Sequence, residues 1–170
     1  LLDGSYKWSG TPYPGEIPVG AGGTANNPTI VEANNKWRAV VQGAVQHGVQ
    51  TQSGGVNFCV VRGLQIRNNG IDGIKFNGNN NTAIDLWVHH NTGNGMSSFG
   101  DTGNTWEFCL SEFNGVDADL DHGLSVNGTD ITIRGCILRR NSSRGLNTNG
   151  GVSNASIYNN IFEGNGSVAM

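Results

Sequence analysis

The chain has 170 residues, of which 14 % are charged and 36 % hydrophobic, and its net charge is −3. That balance provides no basic footprint for nucleic acid or a membrane surface, and no apolar run reaches the ~18 residues of a membrane-spanning helix. Glycine (27) and asparagine (23) fill nearly a third of the positions, which argues against a helical architecture. Three cysteines, an odd count, cannot form a complete disulfide framework.

In chain order, residues 1–40 read as a loop-rich opening, punctuated by Gly4, Gly10, Pro12, Pro14, Gly15, Pro18, Gly20, Gly22 and Gly23. Within it, Thr29–Ala33 and Ala39–Val41 read as first-coil strands. Residues 41–170 read as regular coils of the same single domain. A short phrase recurs there, a polar residue, then Gly, then an apolar, a polar and a small or apolar residue. It runs His47-Gly48-Val49-Gln50-Thr51, Asp72-Gly73-Ile74-Lys75-Phe76, Asn94-Gly95-Met96-Ser97-Ser98, His122-Gly123-Leu124-Ser125-Val126 and Arg144-Gly145-Leu146-Asn147-Thr148. Its glycines are spaced 25, 22, 28 and 22 apart. A second phrase precedes each glycine after the first: Leu64–Asn69, Leu86–Asn91, Cys109–Asn114 and Cys136–Asn141, with a last copy at Asn160–Asn165.

Self-similarity at this period, in short strands with Gly/Asn corners, predicts an all-β solenoid. The expected fold is a single-stranded right-handed parallel β-helix of about six coils with a period of about 22–28 residues. Inward columns should stack as Ile66/Val88/Ser111/Leu138/Phe162 and Val49/Ile74/Met96/Leu124/Leu146. The column Asn69/Asn91/Asn114/Asn141/Asn165 should form an amide ladder at a corner whose left-handed conformation Asn tolerates. The stretch 165–170 resembles the start of a further strand. The chain is therefore expected to be part of a longer protein, or to have its ends covered by missing segments or another subunit.

The run from Thr29 to Asn165 resembles the parallel β-helix proteins of the pectin-lyase-like superfamily. The phrase from Asn57 to Ile74 carries most of the likeness, together with Gly4-Ser5-Tyr6 and Gly23–Val31. The resemblance implies a secreted or cell-surface protein acting on an acidic polysaccharide, as a lyase, hydrolase, esterase or epimerase, or else a non-catalytic tailspike or adhesin segment. Fold alone does not choose among them. Against the polygalacturonase pattern, Asp72-Gly73 and His122-Gly123 match. Gly93-Asn94 stands where an Asp pair is needed, so inverting hydrolysis lacks its second carboxylate.

Candidate chemistry lies in two outward rows, His47/Asp72/Asn94/His122/Arg144 and Gln50/Lys75/Ser97/Ser125/Asn147. Eliminative cleavage needs a base for the proton α to the uronate carboxylate, a cation on that carboxylate and an acid for the leaving oxygen. Asp72, Lys75, His122 and Arg144 are the catalytic candidates, with His122 the better base on intrinsic pKa and Lys75 the one the resemblance favours. Asn94, Ser125, Asn147, His89, Arg139, Arg140 and Trp87 are the substrate-binding candidates. Of these, Trp87 offers a stacking face, and the cations near the Asn corner offer a positive field. Asp117, Asp119 and Asp121, in the longest spacing, are candidate Ca²⁺ ligands, a solvated acidic turn or a source of a catalytic carboxylate. The rival reading is a polysaccharide-binding or structural β-helix segment of a larger secreted, surface or phage protein.

Overall fold

The structure is a computed structural model that describes residues 1–7, 16–52, 55–148 and 150–166. Gly10, Pro12, Pro14 and Gly15 of the expected opening loop, and the strand start expected at 167–170, lie outside the described residues. Each coil contributes one short strand to each of three parallel sheets. The first sheet stacks Gly4–Tyr6, Ala39–Gln42, Gln65–Arg67, Trp87–His89, Leu110–Glu112, Ile137–Arg139 and Ile161–Glu163. The second stacks Ile17–Val19, Val49–Thr51, Ile74–Phe76, Met96–Thr102, Leu124–Thr129 and Leu146–Asn147, with Val152–Ser153 beside the end of Leu124–Thr129. The third stacks Thr29–Glu32, Cys59–Arg62, Thr82–Ile84, Thr105–Glu107, Thr132–Arg134 and Ser156–Tyr158. The result is an all-β parallel solenoid of about five turns, close to the six expected. The loop-rich opening already contributes strands, with Gly4 opposite Ala39 and Ile17 opposite Val49.

Three-residue strands bury one side chain and expose two, or the reverse, so alternation sets the core directly. Both predicted inward columns form in register: Ile66 pairs with Val88, Val88 with Ser111 and Ser111 with Leu138. The third sheet adds Val61, Ala83, Trp106 and Ile133, all fully buried. Trp106 packs against Phe76 with ring centroids 5.9 Å apart, and its indole N–H is buried without a partner. Cys59, Cys109 and Cys136 are free, buried thiols that pack as small hydrophobes. Burial pushes the Cys59 thiol up to about 11.

The asparagine ladder runs unbroken. The side-chain amides donate along the axis from Asn69 to Asn91 (2.8 Å), Asn91 to Asn114 (2.9 Å), Asn114 to Asn141 (3.1 Å) and Asn141 to Asn165 (3.1 Å). Each acceptor oxygen also takes the backbone N–H of the preceding asparagine. The left-handed residue of this corner is not the ladder asparagine but the one before it: Asn68, His90, Phe113 and Arg140, at φ of 54°, 55°, 54° and 55°. That turn aims the following side chain inward, where its amide reaches the next coil.

The ladder also explains the recurring glycine. At Gly123 a Cβ would lie 2.6 Å from the Asn141 amide nitrogen and 2.7 Å from the Gly145 carbonyl oxygen. The equivalent ladder amide and glycine carbonyl of the next coil crowd Gly48, Gly73 and Gly95. Glycine is needed there for close approach, because the strand entering the second sheet runs directly over the amides.

Candidate functional site

The two predicted outward rows lie side by side, one within the second-sheet strands and one just before them, but most of their members are buried. Gln50, Lys75, Ser97, Ser125 and Asn147 follow one another in register. The row preceding the glycines is itself a ladder of side chain to backbone. His47 Nδ1 accepts the Asp72 amide (3.4 Å), and Asp72 Oδ1 accepts that of Asn94 (2.8 Å). Asn94 Oδ1 then accepts the His122 amide (2.9 Å), and His122 Nδ1 that of Arg144 (3.3 Å). Asp, Asn and His suit the row because each carries an acceptor at the right reach.

Asp72 is buried, and its carboxylate is fully engaged. Oδ1 also takes the Asn94 amide (3.1 Å), and Oδ2 takes the Ser97 hydroxyl (2.7 Å). His47 Nδ1 stands 3.6 Å from Asp72 Oδ2. It accepts an amide there, however, and burial pulls its pKa down against the pull of Asp72, so the contact is not an ion pair. Lys75 is half-buried and has no ion-pair partner among the described residues. Two acids that sequence reasoning missed feel its charge, Glu16 and Asp101, and burial raises both their pKa values. Asp101 caps the Gly78 amide and accepts the Ser98 hydroxyl at 2.9 Å each. Neither acid sits in the repeating phrase. The only signal for Glu16 was the alternation Ile17-Pro18-Val19 beside it.

A hollow of about 320 Å³ opens over this strip, lined by Asn94, Phe99, Asp119, Leu120, His122, Ser125, Asn127, Arg144 and Asn147. Of the predicted residues, the structure brings Asn94, Asp119, His122, Ser125, Arg144 and Asn147 together here. Asp72 and Lys75 lie on the same face, toward the start of the chain. Arg144 is exposed and donates to Asn147 Oδ1 at 3.1 Å, and Asn147 donates to Ser125 Oγ at 3.3 Å. Burial lowers the His122 pKa first and the Arg144 charge second, against Asp121.

The long loop 115–121 supplies one wall. Its acids fold back on the turn: Asp121 Oδ2 takes the amides of Val116 (3.0 Å) and Asp117 (2.8 Å). Asp117 Oδ1 takes those of Asp119 (2.8 Å) and Leu120 (3.1 Å). No three His, Cys, Asp or Glu side chains converge as metal ligands among the described residues. As arranged, these acids form a self-capped turn in which one oxygen each of Asp117 and Asp121 is held by main-chain amides.

The remaining candidates lie on the first sheet, across the asparagine corner from the hollow. Trp87 does line up with Gln65 and Leu110 on the outer face. Its indole donates to Glu112 Oε1 (3.0 Å), and Arg139 pairs with Glu112 Oε2 (2.8 Å). His89 bridges Gln65 (2.8 Å) and His90 (2.7 Å), and burial pulls its pKa down to about 4. Arg140 lies over the Phe113 ring at 5.6 Å. Of these cations Arg139 is matched by Glu112, His89 is held neutral and Arg140 lies on an aromatic ring, while the second-sheet face keeps Lys75 and Arg144.

No protein-family description matches the chain, and no curated protein does. Among solved structures it is similar to the crystal structure of pectate lyase Pel9A, with a TM-score of 0.73 and 22 % identity. The likeness covers 86 % of this chain and 40 % of the pectate lyase, so the chain spans well under half the length of that protein. At that identity the likeness is one of fold, and the chain has the parallel β-helix fold of a pectate lyase.

Proposed function

We propose that this chain carries an acidic polysaccharide along the coil axis on its second-sheet face and cleaves it by elimination, outside the cell. The observation that carries the reading is the hollow, where a guanidinium, an imidazole, a hydroxyl and three carboxamides converge in a fold shared with a pectate lyase. Arg144 would pair with the uronate carboxylate in a forked geometry and hold the charge that grows as the α-proton leaves. A base, Lys75 or His122, takes that proton. The freed electron pair forms the double bond, the glycosidic C–O bond breaks, and the leaving oxygen takes a proton. Asp72 positions Asn94 and Ser97 rather than reacting, since both its oxygens are engaged.

One spacing favours a second reading, in which the strip binds without cutting. Lys75 and Ser125 are two strands apart, about 10 Å at ~4.8 Å per strand, so Lys75 and the His122–Arg144 pair face different stretches of a bound chain. Ultraviolet absorbance separates the readings. A panel of polyuronates is offered with calcium and then with chelator, and the unsaturated uronate left by elimination is followed. A rise on any polyuronate establishes the lyase. Binding with a flat trace on every substrate establishes the second reading.

A further inference from the structure

His122 is 3 % exposed, and its two ring nitrogens have different fates. Nδ1 accepts the backbone N–H of Arg144. A ring nitrogen that accepts an N–H bears no proton of its own, so the neutral ring carries its hydrogen on Nε2. Charging the ring would set two N–H groups against each other and open the Arg144 contact. The charges facing it are Arg144 and Asp121, with Asp119 on the wall of the hollow. Nε2 has no partner among the described residues and is not sealed from the hollow that His122 lines.

We infer that His122 is a fixed, neutral hydrogen-bond donor, presenting Nε2–H to a carboxylate or hydroxyl oxygen of a uronate held by Arg144, and is not the proton-abstracting base. A base would have to receive the proton at Nδ1, which the main chain already occupies. His47 repeats the arrangement three coils earlier, with Nδ1 on the Asp72 amide. The ligand in this inference rests on the polysaccharide reading, whereas the tautomer does not.

Two measurements on the intact chain test this. Long-range ¹H–¹⁵N correlation of the imidazoles at neutral pH, with His122 assigned by its loss in His122→Gln, is expected to show the neutral Nε2–H form. An Nδ1–H form or an imidazolium would overturn the inference. Calorimetry with oligogalacturonate and oligoalginate then compares variants. Glutamine can accept the Arg144 amide through its oxygen and donate through its nitrogen, but it cannot act as a base. His122→Gln is therefore expected to keep binding and any elimination within a few-fold, while His122→Ala weakens binding about tenfold. Loss of elimination in His122→Gln with binding intact would make His122 the base and refute the inference. If neither oligosaccharide binds the wild type, the saccharide ligand falls, while the imidazole spectrum still decides the tautomer.

Discussion

Gly123 and Asn141 define each other, since the side chain of one fills the space the other leaves. Gly123→Ala drives a methyl into the ladder amide and a carbonyl oxygen, and should cost about 3 kcal/mol by urea unfolding. Asn114→Ala leaves the Asn91 backbone N–H and side-chain amide without their acceptor in a buried corner. It should cost about 2–6 kcal/mol in the same assay, at an orphaned-donor cost of roughly 1–3 kcal/mol each. The buried histidines fix a pH dependence. Burial first, then the neighbouring His90 and Arg67, hold His89 at about 4 against an ordinary 6.5, with Glu112 opposing. The unfolded chain therefore binds a proton that the folded chain refuses. Stability is full above 6.5 and falls as pH drops toward 4, by ~2–3 kcal/mol from this residue. His47 and His122 push the same way, while the raised carboxyls Glu16 and Asp101 act oppositely. Chemical denaturation between neutrality and about pH 5 should show this slope, and His89→Gln should flatten it.

At the scale of the strand and the loop, the repeat made most of the fold legible. The spacing of Gly73, Gly95, Gly123 and Gly145 placed the second-sheet strands, and alternation placed Ile66, Val88 and Leu138 inside. Alternation says which side of a strand is outward, but not which way that side faces in space. Trp87, His89, Arg139 and Arg140 can therefore be named as substrate-binding candidates from the sequence, but not placed relative to His122 and Arg144. The bend at the asparagine corner, a product of residues such as Phe113 at φ 54°, puts them on another sheet. A second asparagine pair, Asn81 and Asn104, was also missed. It lies outside the repeated phrase, yet Asn104 Oδ1 accepts the Asn81 amide at 2.7 Å. The acidic loop 115–121 was legible as an insertion, but its hydrogen bonding depends on backbone turns that composition does not encode. Asp121→Ala unties the Val116 and Asp117 amides. It should speed hydrogen exchange across 115–121 and weaken polyuronate binding, with the unfolding midpoint of the coils little changed; unaltered exchange would refute the self-capped turn.

At the scale of the molecule, three parallel sheets give three long faces with different chemistry. The third carries Glu107 paired with Arg134 and the ion pair of Glu32 with Arg62. The first carries an aromatic run from Trp37 through Trp87 to His89, with Glu112 paired to Arg139. The second combines a hollow with an exposed arginine at its rim and a lysine farther along the strip. The central claim is that this face holds and eliminates a polyuronate. The most direct test follows ultraviolet absorbance while the wild type, Arg144→Ala and, as a matched surface control on the third sheet, Arg62→Ala meet pectate and other polyuronates. The account predicts a rise with the wild type and Arg62→Ala that drops at least tenfold in Arg144→Ala. An equal rise in all three, or none with any substrate, would contradict it.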